Sequence, residues 1–146
     1  MKTIAFIFSL MLASSVQAFP AGHDLDRFNA LSAIETRDND FAGGKAGEVS
    51  RLAITPRVWK QYAGNLTISA AVNPATAFNV GEAVMRDRVR RFEKREHRQP
   101  TENEFALLWH CPGRRHRPTV SDLDYAARFV NTLNQIHPHH NPTGTR

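Results

Sequence analysis

Apolar residues recur along this chain at the spacing of helix faces, and no stretch alternates strongly enough for a strand. Residues 24–35 place Phe28, Leu31 and Glu35 on one side of a first helix, with Asp24 as a plausible N-cap. Thr55 before Pro56 reads as a cap and first helical position, opening a short second helix with Val58, Trp59 and Tyr62 buried and Gly64 ending it. A third helix is predicted from Asn73-Pro74 to about His97, because Phe78, Met85, Val89 and Phe92 share a face. Gly81 lies on that stripe at a cost of about 1 kcal/mol against alanine, which points to close approach of another backbone. Pro100 breaks the pattern. Thr101 with Glu104 then forms a capping box for a fourth helix carrying Phe105, Leu108 and Trp109 and stopping at Pro112-Gly113. Ser121 with Asp124 repeats the arrangement for a last helix, whose stripe is Ala126, Phe129, Val130 and Leu133. Residues 36–49 are polar, hold Gly43, Gly44 and Gly47, and read as a loop; residues 67–72 suit a short extended piece. The expectation is a mostly α, compact domain of about five helices.

The ends of the chain change this picture. Residues 1–18 read as a signal peptide: Lys2 is the positive start, residues 4–13 the apolar stretch, and Val16-Gln17-Ala18 a small-residue cleavage site. The mature chain would start near Phe19, and the apolar stretch is too short to span a bilayer. An exported, periplasmic or extracellular protein without a transmembrane segment is therefore expected, with a domain over residues 19–136. Residues 137–146, rich in proline, histidine and glycine, read as a disordered tail. The one cysteine, Cys111, permits no intramolecular disulfide and reads as a buried small residue, so packing alone must hold the fold.

The net charge of +5 becomes +4 when Lys2 leaves, since residues 1–18 contain no acid. The excess concentrates in residues 86–98 and at Arg114, Arg115, His116 and Arg117. Asp87, Glu93 and Glu96 interrupt the first cluster, as on a solvated helix face. The functional alternative is an anionic partner, and outside the cytoplasm an acidic wall polymer or membrane surface fits better than nucleic acid.

Glu35 is the residue that stands out. A carboxyl on the apolar side of a helix is either paired, catalytic, or at a helix end where it swings into water. Burial disfavours its charged form and raises its pKa, as a general acid near neutral pH requires. Other motifs fail or stay weak. Gly43-Gly44-Lys45 lacks the glycine five residues before Gly44, where Asn39 stands, and the hydroxyl after the lysine, where Ala46 stands. His137, His139 and His140 sit close together on a tail that offers no rigid site, and His110, Cys111 and His116 are similarly weak, so no metal or cofactor is expected. Asn65-Leu66-Thr67 matches a glycosylation sequon, which acts only in a host that glycosylates exported proteins. Glu35 and Glu48 flank the glycine-rich loop, and two carboxyls facing a cleft would suit glycosidic cleavage. Trp59, Tyr62 and Trp109 could stack on sugars, although each lies on a core stripe.

Taken in order, these pieces resemble the lysozyme-like superfamily, specifically the lytic transglycosylase domain shared with goose-type lysozymes. Ala33-Ile34-Glu35-Thr36 is similar to the end of the helix that carries the family's catalytic Glu-Ser. Residues 46–56 are similar to its Gly-Ala-x-Gly-Leu-Met-Gln-Ile-x-Pro segment, agreeing at Gly47, Ile54 and Pro56 and departing at Ser50 and Ala53. Asn73-Pro74 and Gly81 resemble the opening of its next helix, and residues 108–113 lie where it has Ala-Tyr-Asn-Ala-Gly-Pro, with Trp109 and His110 replacing tyrosine and asparagine. The likeness spans roughly residues 24–134. It implies a lysozyme-like domain that cleaves peptidoglycan between N-acetylmuramic acid and N-acetylglucosamine, with Glu35 as general acid and base. It implies substrate contacts at Glu48, Ser50, Trp109 and His110, no cofactor, and a monomer acting on glycan strands rather than nucleic acid. The alternatives are a catalytically impaired relative that binds wall glycan, motivated by Ala53 and His110, and an unrelated basic helical binding protein, motivated by the arginine clusters.

Overall fold

The computed structural model describes residues 23–136. The expected signal peptide, the chain start near Phe19, and the tail with His137, His139 and His140 lie outside the described residues. Five α-helices follow one another: α1 (His23–Thr36), α2 (Pro56–Tyr62), α3 (Pro74–Glu96), α4 (Glu102–His110) and α5 (Val120–Ile136). A 3-10 turn, Ile68–Val72, joins α2 to α3. Among the described residues the one extended pairing is an isolated antiparallel bridge between Val49 and Ile54.

Local chemistry sets the helix limits. The Thr55 hydroxyl accepts from the Val58 amide at 3.4 Å, and Pro56 occupies a position whose missing N–H costs nothing. The Asn73 side chain accepts from the Thr76 amide at 3.1 Å to open α3, which closes on His97 at φ 56°. Thr101 and Glu104 form the full capping box of α4, and the Arg98 fork on Glu104 holds that carboxyl down to about 2.

Four expectations are corrected. Asp24, expected to cap α1, lies inside its first turn, because the helix already includes His23. The box that opens α5 is Thr119 with Asp122, two residues before Ser121 and Asp124: the Asp122 carboxylate accepts from the Thr119 amide at 2.8 Å and the Thr119 hydroxyl accepts from the Asp122 amide at 3.3 Å. Both pairs have the required three-residue spacing, and burial decides between them, because Asp122 is enclosed at 1% exposure while Ser121 and Asp124 face water. Residues 68–72 coil instead of extending, since among the described residues no strand lies beside them and amides turn back on nearby carbonyls, Ala70 to Thr67 and the capping Asn73 to Ala70. Gly81 does admit a close neighbour, but side chains rather than backbone: an added Cβ would lie 2.7 Å from Leu52 Cδ1 and 3.1 Å from Phe28 Cε1.

The core forms where α5 packs on α4 and α1, with Phe129 fully buried and stacked 5.8 Å from Phe105. Phe28 joins the two ends of the core, 6.1 Å from Phe78 and edge-on to Trp109 at 6.5 Å. Leu31, Leu52 and Val84 are wholly buried between them. The loop between α1 and α2 has its own fastenings. Arg37 and Asp38 take left-handed φ of 57° and 62° at the end of α1, and Asp38 accepts from the Ser32 hydroxyl at 2.6 Å. Arg51 grips Asp40 through two bonds of 2.5 and 3.0 Å and lies over the Phe78 ring. Thr36 donates to the Arg51 carbonyl at 2.8 Å, which pins the loop against the last turn of α1. The loop therefore stays beside Glu35.

Candidate active site

Glu35 occupies the last turn of α1 and opens onto a cleft of about 340 Å³ between that turn, the 48–58 segment, α3 and the end of α4. Its Oε1 accepts a 2.6 Å hydrogen bond from the Tyr125 hydroxyl of α5. Burial pushes the Glu35 carboxyl above its usual range, and Tyr125, His110 and Trp109 oppose that rise without cancelling it. The solvent-exposed alternative for Glu35 is thereby set aside: the side chain is both partly enclosed and paired. Tyr125 is itself 4% exposed, and burial next to a carboxylate drives its phenol far above the ordinary value, so it remains a donor.

The wall around the pair comes from the C-terminal end of α4. His110 stacks on Tyr125 with ring centres 4.1 Å apart, and its Nε2 lies 3.4 Å from Asp122 Oδ1. Trp109 is mostly buried against Phe28 yet also lines the cleft. Arg88 reaches across from α3, donating through Nη1 to the carbonyls of Leu108 and Trp109 at 2.8 Å each. These are carbonyls of the last turn of α4, where a cation opposes the helix dipole and satisfies open acceptors. Burial depresses the Arg88 pKa, but a guanidinium remains charged, so the cleft wall carries a fixed cation.

The expected substrate contacts divide. Glu48, Trp109 and His110 line the same cleft as Glu35. Glu48 is held by the Ala46 amide, which donates to its Oε2 at 2.9 Å, and the carboxylate folds so closely over Gly44 that a Cβ there would lie 2.0 Å away. Gly44 thus serves the carboxylate rather than a phosphate. Ser50 does not line the cleft: it is buried at φ 70°, its hydroxyl accepting from the Leu52 amide at 3.3 Å inside the 49–54 turn. Of the aromatic candidates, Trp59 is core and Tyr62 donates to Asp87 at 2.7 Å; only Trp109 borders the cleft. Cys111 is buried, as expected, and burial raises its thiol pKa.

Sequence spacing does not find Tyr125, which bonds Glu35 from behind the cleft wall, or Arg88, which lines the cleft. Each left a faint signal. Tyr125 precedes Ala126 and Phe129 on the buried stripe of α5, where a hydroxyl needs a partner. Arg88 lies between Met85 and Phe92, where a cation at the margin of a core face needs acceptors. Among the described residues no three His, Cys, Asp or Glu side chains gather as a metal site. Chemically, the arrangement offers a protonatable carboxyl with a positioned donor, a second carboxylate lining the same cleft, and a cation. No family model, curated protein or solved structure matches this chain.

Proposed function

We propose that this chain is an exported peptidoglycan-cleaving enzyme, a lytic transglycosylase or muramidase in which Glu35 serves as acid and then base. The observation that carries the proposal is the desolvated Glu35 carboxyl, hydrogen-bonded by Tyr125 and open to a cleft of about 340 Å³. The raised pKa keeps a proton available for the glycosidic oxygen of the leaving sugar. As the bond breaks, the acetamido group of the muramic acid assists at its anomeric carbon, and Glu35 is left ionised. The carboxylate then takes a proton from the muramoyl 6-hydroxyl, closing an anhydro ring, or from water, giving a reducing end. Glu48, which lines the same cleft, can orient that water, which favours the hydrolytic branch. The Tyr125 hydroxyl holds the carboxyl in one rotamer and stabilises it whenever it is charged.

One competing reading has support of its own. Ala53 contributes only a methyl group to the cleft and Ser50 turns away from it, so few side-chain hydroxyls or amides are left to hold a sugar. That favours a domain which binds wall glycan without turnover. The purely ionic alternative is supported less, because it leaves the partly buried Glu35–Tyr125 pair without a role.

Purified sacculi decide between turnover and binding. The wild type is expected to release soluble muropeptides, with anhydro ends marking transglycosylation and reducing ends marking hydrolysis. Glu35→Gln is expected to lose turnover by at least about a hundredfold while still sedimenting with sacculi. Equal release by the two proteins removes Glu35 from the chemistry; sedimentation without release by either supports the binding domain.

A further inference from the structure

A second groove, of about 370 Å³, adjoins the Glu35 cleft, and Val58, Arg88 and Pro112 line both. Its character differs. Arg88, Arg91, Arg95 and Arg115 line it with Asp87 as the one acid, so the groove carries an excess of positive charge. The pairing of these arginines leaves much of that charge unspent. Asp87 is shared by Arg90, Arg91 and the Tyr62 hydroxyl, and Glu96 by Arg95 at 3.0 Å and Arg115 at 3.7 Å. The hydrogen bonds of Arg88 all run through Nη1 to carbonyls, which bring no countercharge. Arg115 is nine-tenths buried over the Phe92 ring, and its Nε and Nη2 have no hydrogen-bond partner among the described residues. A guanidinium kept in such a place costs desolvation and adds its field to the groove above it.

We propose that this groove is a carboxylate subsite for the peptide stems carried by the glycan strand. The proposal rests on the assignment of the Glu35 cleft to peptidoglycan. A strand lying in that cleft presents its lactyl-linked peptides to one side, and the stems carry free carboxylates. Continuity through Val58, Arg88 and Pro112 brings such a side group to the arginines without the strand leaving Glu35. Guanidinium forks suit carboxylates because two parallel N–H donors meet two oxygens. Arg91 and Arg95, at 72% and 50% side-chain exposure, are free to swing from Asp87 and Glu96 to an arriving ligand.

The test measures binding to Glu35→Gln, so that turnover does not consume the ligand. Two soluble ligands are compared: a GlcNAc–MurNAc oligomer with intact stems and a GlcNAc oligomer of the same length, which carries neither stem nor lactyl carboxylate. The intact oligomer is expected to bind about fivefold tighter, with the difference shrinking as salt rises. Arg91→Gln/Arg95→Gln is expected to erase the preference, while Arg86→Gln/Arg90→Gln, which removes the same charge from elsewhere on α3, keeps it. Free stem peptide should compete and a glycerol phosphate polymer should not. Equal affinity for the two oligomers, a preference that survives Arg91→Gln/Arg95→Gln, or competition by the phosphate polymer alone overturns the subsite. Wild-type turnover of sacculi is scored separately: turnover without stem preference removes only the groove, and stem preference without turnover removes only the role of Glu35.

Discussion

The short bond between Tyr125 and Glu35 gives the phenol a defined part. A donor that bonds the ionised carboxyl lowers its pKa, so the rise caused by burial is held in check. Tyr125→Phe removes that restraint without changing the packed volume by much. Glu35 should then keep its proton to higher pH, and under the proposed acid role the alkaline limb of a pH–rate profile on sacculi should move up. The maximal rate should fall about tenfold, because the carboxylate loses both its partner and its fixed rotamer. An alkaline limb that does not move would assign that limb to another group. Sequence spacing brought Glu35 forward as a carboxyl on a core face, and it had no means of finding Tyr125, which lies 90 residues further on. A hydroxyl on an apolar stripe announces that it has a partner, but the partner's identity depends on how α5 crosses α1.

Helix boundaries are fixed mostly by groups three residues apart, which is why α2, α3 and α4 start where their caps predict. The α5 cap shows the limit of such rules. Thr119 with Asp122 and Ser121 with Asp124 are equivalent on spacing, and the choice falls to the pair that can also bind Arg114 while buried. Gly81 gives a related case on α3. In an isolated helix Gly81→Ala would stabilise by about 1 kcal/mol. Here the new methyl meets Leu52, which is fully buried and has little room to turn, and overpacking of this kind costs about 1–3 kcal/mol. The expected net result is a loss of about 1 kcal/mol, read as a melting temperature lower by about 4 °C. A higher melting temperature would show that Leu52 and Phe28 yield more easily than their burial implies.

Across the molecule, the α4–α5 junction joins stability to the cleft. Arg114 donates to Asp122 through Nε at 2.9 Å and Nη2 at 2.7 Å, the Thr119 hydroxyl adds a bond of 2.7 Å, and His110 lies between this carboxylate and the Tyr125 ring. These donors hold the Asp122 carboxyl far below the usual carboxylate range, with the Arg114 fork contributing most. A depressed pKa of this kind contributes stability that is complete above the unfolded value, about 3.9, and is lost as pH falls through the lower folded value. Asp122→Asn should therefore melt several degrees below the wild type at neutral pH, and the gap should narrow once the pH drops under about 4. A gap that stays constant with pH would mean that the asparagine harms packing alone. The amino-acid sequence by itself determined the helical class, most helix limits and the place of Glu35 on a core face, because each follows from contacts within a few residues. Only the tertiary structure decided that Glu35 meets Tyr125, that Arg88 closes α4 beside it, that Ser50 turns away, and that the arginines of α3 share a groove with Arg115. Those relations depend on how the helices cross, and the packing that sets the crossings has no signature at short spacing along the chain.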